Sequence, residues 1–313
     1  MALGKALSCI GAVTVCCVLL KVSSIMLEYV RPSRLSKYLR EDTVAYALIT
    51  GATDGIGLGF ARELCRQGFG VILHGRNQQK LQRTQDALKD EFPDAQIRTF
   101  ICDAALPTPP EVFDELVRDL VDVKLTILIN NVGGSAGAAE NPFKSYEECT
   151  SDQLDRVLNV NARFMTQLTR ALLPQLRQNG PSMILNICSF SAPGIPFVTA
   201  YSATKGYIKG FSAALSMELK MQKKNVDVVT LIVGEVHTAS YRMPPSFFVP
   251  TGREFARSAL KNVGYGSGTI TGYWPHAIQH AFVSAIPEWM RQRFVMQAVG
   301  AKMAAYTKHV KDS

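Results

Sequence analysis

One junction constrains this chain more tightly than any other stretch. An uninterrupted apolar run, residues 44–49, passes directly into Thr50-Gly51-Ala52-Thr53-Asp54-Gly55-Ile56-Gly57, and an apolar-periodic stretch follows. A short run without polar alternation suits a parallel strand buried on both faces. Glycines at these spacings suit a tight turn from that strand into a helix. Gly51 permits the turn, Gly55 lets the main chain approach a diphosphate, and Gly57 lets the helix settle on the sheet, its N-terminus facing the phosphates. Gly51, Gly55, Ile56 and Gly57 are therefore candidate cofactor contacts.

The same strand–turn–helix rhythm continues downstream. A second strand, residues 71–74, runs into Gly75-Arg76-Asn77, where an acid that would bond a ribose 2′-hydroxyl is replaced by Arg76. A guanidinium fits a 2′-phosphate, so the expected cofactor is NADP(H). Helices are expected over residues 79–90 and around 111–120, and strands over 97–101 and 126–129. Asp103 closes the third strand as a candidate acceptor for an adenine amine. The fourth strand ends in Asn130-Asn131-Val132-Gly133-Gly134, a turn at a sheet's carboxyl edge that makes Asn130 a candidate cofactor contact. A long helix from Ser151 to about residue 177 carries Asn161, expected to face inward. A fifth strand, 183–187, delivers Ser189 and Ser191; a helix to about 221, a strand over 226–233 and the turn 234–238 follow. The expected fold is α/β: a doubly wound Rossmann-type parallel sheet in a single domain, with an N-terminal hydrophobic helix and a C-terminal helical extension.

On the helix after Ser191, Tyr201 and Lys205 stand at i and i+4 and share a face. An ammonium beside a phenol favours the phenolate and is expected to draw the tyrosine down from about 10. Such a tyrosine can exchange a proton with a carbonyl or hydroxyl oxygen.

Composition narrows the class. Of the 313 residues 47% are hydrophobic and 19% charged, an ordinary folded balance. The net charge of +8 comes without a basic stripe interleaved with aromatics, so nucleic acid is not an expected partner. Seven scattered cysteines form no C-x-x-C pair, which suits buried thiols in a reducing compartment. His276 and His280 stand at i and i+4, but without H-E-x-x-H or a third ligand no metal is expected.

Residues 6–20 are apolar and uncharged, and apolar character resumes after Lys21. A signal peptide, a buried helix and a membrane anchor compete for this segment. It lacks a small-x-small cleavage site, and it reaches the roughly 20 residues a bilayer needs if Lys21 snorkels, which favours the anchor. Arg31, Arg34, Lys37 and Arg40 follow it, against Lys5 before it, so the rest of the chain is expected in the cytosol. The expected division is 1–40 anchor and basic linker, 41–240 catalytic domain, and 241–313 substrate lid and C-terminal extension. Residues 243–248 form an apolar loop suited to a lid or to an ordinary surface turn. The tail from 273 to 306 suits a membrane-interface, homodimer or lid helix.

Taken in order, T-G-x-x-x-G-x-G, N-N-V-G, an inward Asn, a Ser, Y-x-x-x-K and G-x-x-x-T over residues 44–240 resemble the short-chain dehydrogenase/reductases. The anchor, the T-G-A-T-D-G-I-G form, H-G-R after the second strand and the long tail resemble the membrane-bound 17β-hydroxysteroid dehydrogenase and very-long-chain 3-oxoacyl-CoA reductase branch, which implies an endoplasmic reticulum membrane. The resemblance implies that Tyr201 donates the proton, while Lys205 lowers its pKa and holds the nicotinamide ribose. It further implies that Ser189 bonds the substrate carbonyl, Asn161 holds a water, and Val236 and Thr238 meet the nicotinamide. Two departures stand out: the Ser-to-Tyr interval is one residue short, leaving Ser191 as a rival to Ser189, and Val233 replaces a proline. The implied activity is NADPH-dependent reduction of an apolar ketone to a secondary alcohol, with 3-oxoacyl-CoA favoured and a steroid or a natural-product ketone as alternatives. A nucleotide-sugar epimerase would carry T-G-x-x-G-x-x-G instead. A catalytically dead scaffold would be expected to lose Tyr201 or Lys205.

Overall fold

The computed structural model describes residues 2–135, 143–239 and 241–312. The expected boundary at residue 240 and the side chain of Lys21 lie outside what is described. The first helix, α1 (Ala2–Val30), contains a stretch, Gly11–Val30, long and apolar enough to cross a membrane. After a short linker come β1 (Ala45–Ile49), α2 (Gly55–Arg66), β2 (Gly70–Gly75), α3 (Gln78–Glu91), β3 (Ile97–Ile101), α4 (Pro110–Asp119) and β4 (Lys124–Asn130). The second half supplies α5 (Ser151–Leu158), α6 (Phe164–Gln178), β5 (Ser182–Ser189), α7 (Thr199–Met221), β6 (Val226–Val233), α8 (Gly252–Lys261), β7 (Gly268–Thr271), α9 (Trp274–Ala285) and α10 (Glu288–Asp312).

The strands form one seven-stranded sheet in the order β3-β2-β1-β4-β5-β6-β7, and every pairing is parallel. The order reverses between β1 and β4, where a doubly wound sheet opens a crevice at its carboxyl edge. Because strand side chains alternate, Ala45, Ala47 and Ile49 of β1 enter one core while Tyr46 and Leu48 enter the other. The first core packs α2, α3 and α8 through Phe60, Leu64, Leu81 and Phe255. The second packs α4 and α6 through Phe113, Leu116, Leu168 and Leu172.

Two elements depart from expectation. The helix expected from Ser151 to about 177 is interrupted by a π-helical turn, Asn159–Arg163, between α5 and α6. The strand β7 was not anticipated; four residues containing a single large apolar side chain give almost no strand pattern.

The linker is held to the domain from Tyr29 to Arg40. Tyr29 donates to the carbonyl of Thr271, Arg31 stacks 3.5 Å above the centre of the Tyr265 ring, and Tyr265 donates back to the carbonyl of Pro32. Leu35 and Tyr38 are buried, and Asp227 receives both the Lys37 ammonium (2.7 Å) and the Tyr38 hydroxyl (2.6 Å). Arg40 then donates to the carbonyl of Pro181 at 3.0 Å.

Candidate active site

The cofactor side of the crevice is built mainly from main chain. Asp54 caps α2, accepting from Gly55 N at 2.6 Å, so the turn enters the helix with its first amide held. A Cβ at Gly57 would lie 2.2 Å from the carbonyl oxygen of Gly51, so the turn closes only around a glycine there. Thr50 Oγ1 accepts from the amides of Asn131 (2.8 Å) and Val132 (2.9 Å), and Asn131 Nδ2 donates to Thr50 O at 2.8 Å. These bonds tie the ends of β1 and β4 together at the switch point. Arg76 is exposed at the end of β2, followed by Asn77, which caps α3 by accepting from Lys80 N at 2.8 Å. Asp103 is half-buried and accepts from Ala105 N at 3.0 Å. This cradle fits a dinucleotide: a glycine-lined turn into a helix N-terminus, and an exposed cation, Arg76, at the end of the neighbouring strand. Gly51, Gly55, Ile56 and Gly57 line it, and Thr238 packs against it, its methyl 2.7 Å from where a Cβ on Gly55 would stand. Val236, two residues before Thr238, is buried.

The Asn130 side chain is buried and bonded within the core, donating to Thr169 Oγ1 (3.0 Å) and Asn186 Oδ1 (2.8 Å). Asn186 in turn donates to Ser212 Oγ at 2.9 Å, so these groups form a buried polar chain joining β4, β5, α6 and α7. The neighbouring Asn131 is the one that reaches the glycine turn.

Sequence reasoning missed His74. Its ring is buried and stacks on Phe164 at 4.9 Å, Nδ1 accepts from Gly51 N at 3.2 Å, and Nε2 donates to Cys102 O at 3.1 Å. An amide pointing at Nδ1 fixes the proton on Nε2 and the ring as neutral. Burial agrees, pushing the pKa down to about 4. The signal was present in the sequence as a single histidine ending the apolar run Val71-Ile72-Leu73.

The substrate side gathers four side chains. Asn161 is 2% exposed, and the π-turn directs it inward: Nδ2 donates to Gly134 O (2.8 Å) and Val157 O (2.9 Å) while Oδ1 accepts from Gly134 N (3.1 Å). A Cβ on Gly133 would lie 2.6 Å from Asn161 Oδ1 and 3.4 Å from Lys205 Nζ, so these groups converge on one small volume. Lys205, 4% exposed, donates to Ile187 O at 3.0 Å, and its ammonium lies 5.4 Å from the centre of the Tyr201 ring. Burial brings the lysine down to about 8.

The expected depression of Tyr201 is not found. Burial raises its pKa, and the nearby hydroxyls of Ser189 and Ser191 offset this only in part. The ammonium that was to lower it faces the Ile187 carbonyl and is itself weakened by burial.

The short Ser-to-Tyr loop closes by successive turns. Ala192 N donates to Ser189 O (3.1 Å), Gly194 N to Ser191 O (2.9 Å), and Ile195 N to Ser202 Oγ (3.1 Å). Ser191 N donates to Ser189 Oγ at 3.1 Å, which fixes the Ser189 hydroxyl oxygen at the head of the loop.

The loop 243–248 packs against the C-terminal helices and the turn after β6. Phe247 stacks edge-on against Trp274 at 5.1 Å, and Tyr273 donates to Phe247 O at 3.2 Å. His276 accepts from Gly234 N at 3.3 Å and donates to Phe248 O at 3.0 Å, so both ring nitrogens have main-chain partners. His280 stacks on Phe190 at 5.6 Å. Lys302 of α10 pairs with Glu235, and Tyr306 packs on Phe143 at 5.7 Å.

Comparison with known proteins places this architecture. Residues 45–243 match the family model described as short chain dehydrogenase. The very-long-chain 3-oxoacyl-CoA reductase of Caenorhabditis briggsae is 32% identical over 271 residues, 86% of this chain and 84% of that one. A putative steroid dehydrogenase of Caenorhabditis elegans is 35% identical over 252 residues, 79% of this chain and 93% of that one. Among solved structures, a short-chain dehydrogenase from Sphingobium yanoikuyae in complex with NADPH superposes with a TM-score of 0.63 at 22% identity, covering 78% of this chain and 97% of that one. The chain belongs to the short-chain dehydrogenase family, close to the very-long-chain 3-oxoacyl-CoA reductase branch.

Proposed function

We propose that this protein reduces the 3-keto group of a long-chain acyl-CoA to a secondary alcohol, with Tyr201 as proton donor. The observation that carries the chemistry is the convergence of Tyr201, Lys205, Ser189 and Asn161 beside the glycine turn. NADPH, when bound, supplies the hydride. Gly51, Gly55, Ile56 and Gly57 would hold its pyrophosphate, Arg76 its 2′-phosphate and Asp103 its adenine. Lys205 would hold the nicotinamide ribose, and Val236 and Thr238 the carboxamide.

The protein's own work is to place and polarise the ketone. Ser189 Oγ, oriented by the Ser191 amide, donates to the carbonyl oxygen and stabilises the charge that grows there. Tyr201 hands its proton to the same oxygen. A phenol raised by burial is protonated at neutral pH and so is ready to donate in the reducing direction. Lys205 steadies the phenolate left behind, and Asn161 holds the adjoining Gly134 main chain in the shape that would seat a water between lysine and solvent.

The choice of an acyl-CoA is supported by the named relatives and by the net charge of +8, which favours an acidic head group. A steroid ketone is the second reading, favoured by the resemblance to the putative steroid dehydrogenase. The apolar helix α1 supports membrane association, and the basic residues after it support a domain on the cytosolic side of the endoplasmic reticulum. The deciding experiment compares kcat/KM for 3-oxoacyl-CoA esters of increasing length with that for steroid ketones. Each added methylene is worth about 0.8 kcal/mol of burial, so an apolar pocket should gain roughly tenfold for every two carbons. A flat trend beside good steroid turnover would overturn the acyl reading.

A further inference from the structure

We infer that the carboxyl edge of the sheet, with its lid loop and α9, rests on the bilayer that α1 enters, so that apolar substrate reaches the crevice from the lipid rather than from water. The inference rests on the reading of α1 as a membrane helix and adds to it an orientation and a second contact surface.

The linker's course carries the argument. Tyr29, the penultimate residue of α1, is bonded to Thr271, the last residue of β7 and so at the carboxyl edge. Pro32 and Arg34 meet Tyr265, which precedes β7. Lys37 and Tyr38 meet Asp227 at the start of β6, and Arg40 meets Pro181 just before β5. The linker therefore runs down the outside of the sheet from its carboxyl edge to its amino edge, bonded at each step. The apolar helix leaves the domain at the same edge as Ser189 and the lid, and the linker has no free length in which the domain could turn away.

The surface beside that exit is apolar. α1 packs against α9, whose Pro275, His276 and Ala277 face the protein while Trp274, Ile278 and Phe282 form a stripe at i, i+4 and i+8 on the other side. Phe282 is 67% exposed, and Trp289 at the start of α10 is 59% exposed with Arg293 resting 5.4 Å from its ring. Phe247 of the lid, stacked on Trp274, extends the stripe toward the mouth. Large apolar side chains gathered in water at one place mark an interaction surface. Tryptophan with a neighbouring arginine suits the boundary between acyl chains and head groups. The helix read as entering the bilayer packs against α9 itself, so the bilayer is the occupant of this surface.

Trp274 and Trp289 are the two tryptophans of the chain, so the test needs no label. The full-length protein is reconstituted into phosphatidylcholine liposomes with and without bromine on the acyl chains. The expected result is at least a twofold loss of tryptophan fluorescence in the brominated vesicles, protection from aqueous iodide, and roughly equal shares lost in Trp274→Phe and Trp289→Phe. Protein that floats with the vesicles but is quenched by iodide and not by bromine would overturn this inference while leaving the anchor intact. Protein that does not float would overturn the anchor and this inference together. In a second measurement, Phe282→Glu in the full chain should lower turnover of a bilayer-resident long-chain ketone about fivefold. It should leave NADPH affinity and turnover of a short soluble ketone unchanged. Equal effects on both ketones, or none on either, would count against entry from the lipid.

Discussion

His74 on the cofactor side and His276 on the substrate side are bonded in the same way. Each accepts a glycine amide on Nδ1, from Gly51 or Gly234, and donates from Nε2 to a carbonyl, of Cys102 or Phe248. Burial pushes both imidazoles down toward the neutral form. The difference lies in what each one ties. His74 joins the glycine turn to the end of β3, two positions fixed by the sheet, and its ring is clamped between Phe100 and Phe164. His276 joins the turn after β6 to the loop 243–248, whose phenylalanines are exposed. The same bonding pattern makes a floor in one half and a latch on an exposed loop in the other.

Substitutions can separate the halves. Tyr201→Phe should act on neither, lowering turnover by about 100-fold or more, the scale of a lost general acid, while NADPH affinity stays as it was. A variant that kept most of its rate would remove Tyr201 from the chemistry. Next in size, Arg76→Asp should turn the NADPH/NADH preference around by a factor on the order of 100, since it replaces a cation for the 2′-phosphate by an acceptor for a 2′-hydroxyl. This is read as the ratio of the two dissociation constants.

The histidines give the smaller and more diagnostic effects. His74→Leu leaves a partly buried amide and a partly buried carbonyl without partners, at up to about 1–3 kcal/mol each, so NADPH binding should weaken about tenfold and the protein should lose stability. His276→Leu should raise KM for the ketone severalfold with the NADPH dissociation constant unchanged. If both variants weakened NADPH equally, the division into floor and latch would be wrong. The pH dependence sharpens the point. His74 sits at about 4 in the folded protein against 6.5 for a free imidazole. Between those values the unfolded chain binds the extra proton, so stability falls as pH drops from 6.5 toward 4, by about 3 kcal/mol in all. Unfolding of His74→Leu by urea at pH 7 and pH 4 should lack that increment.

The asymmetry between the halves also governs how much could be read from sequence. The β/α order was legible because buried parallel strands are continuous apolar runs, and the glycine turn because few other residues meet its contacts. Asn131 was not singled out, because nothing local says that its side chain reaches back to the glycine turn while that of Asn130 enters the core. The π-turn was not read, because one extra residue in a turn leaves no residue-type signature, although Asn161 was expected to face inward. β7 is an edge strand with two threonines and a glycine, paired only on one side. Tyr201 and Lys205 were found by spacing. Their protonation was misjudged because burial, the dominant influence on both, belongs to the tertiary structure.

The ends of the lid loop have a consequence of another kind. His237 N donates to Pro250 O at 2.9 Å, so the chain leaves for the lid and returns from it at one point. Directly after, α8 crosses α2 at such close range that a Cβ on Gly59 would lie 2.3 Å from the Gly252 carbonyl oxygen. The loop that leaves after His237 and returns at Pro250 thus hangs from a closed neck that α2 holds. Lengthening a loop whose ends are already joined is cheap, about 0.6 kcal/mol for each doubling. Descendants of such a chain could therefore exchange, extend or trim the lid, and with it the range of ketones admitted, without renegotiating how they bind their nucleotide.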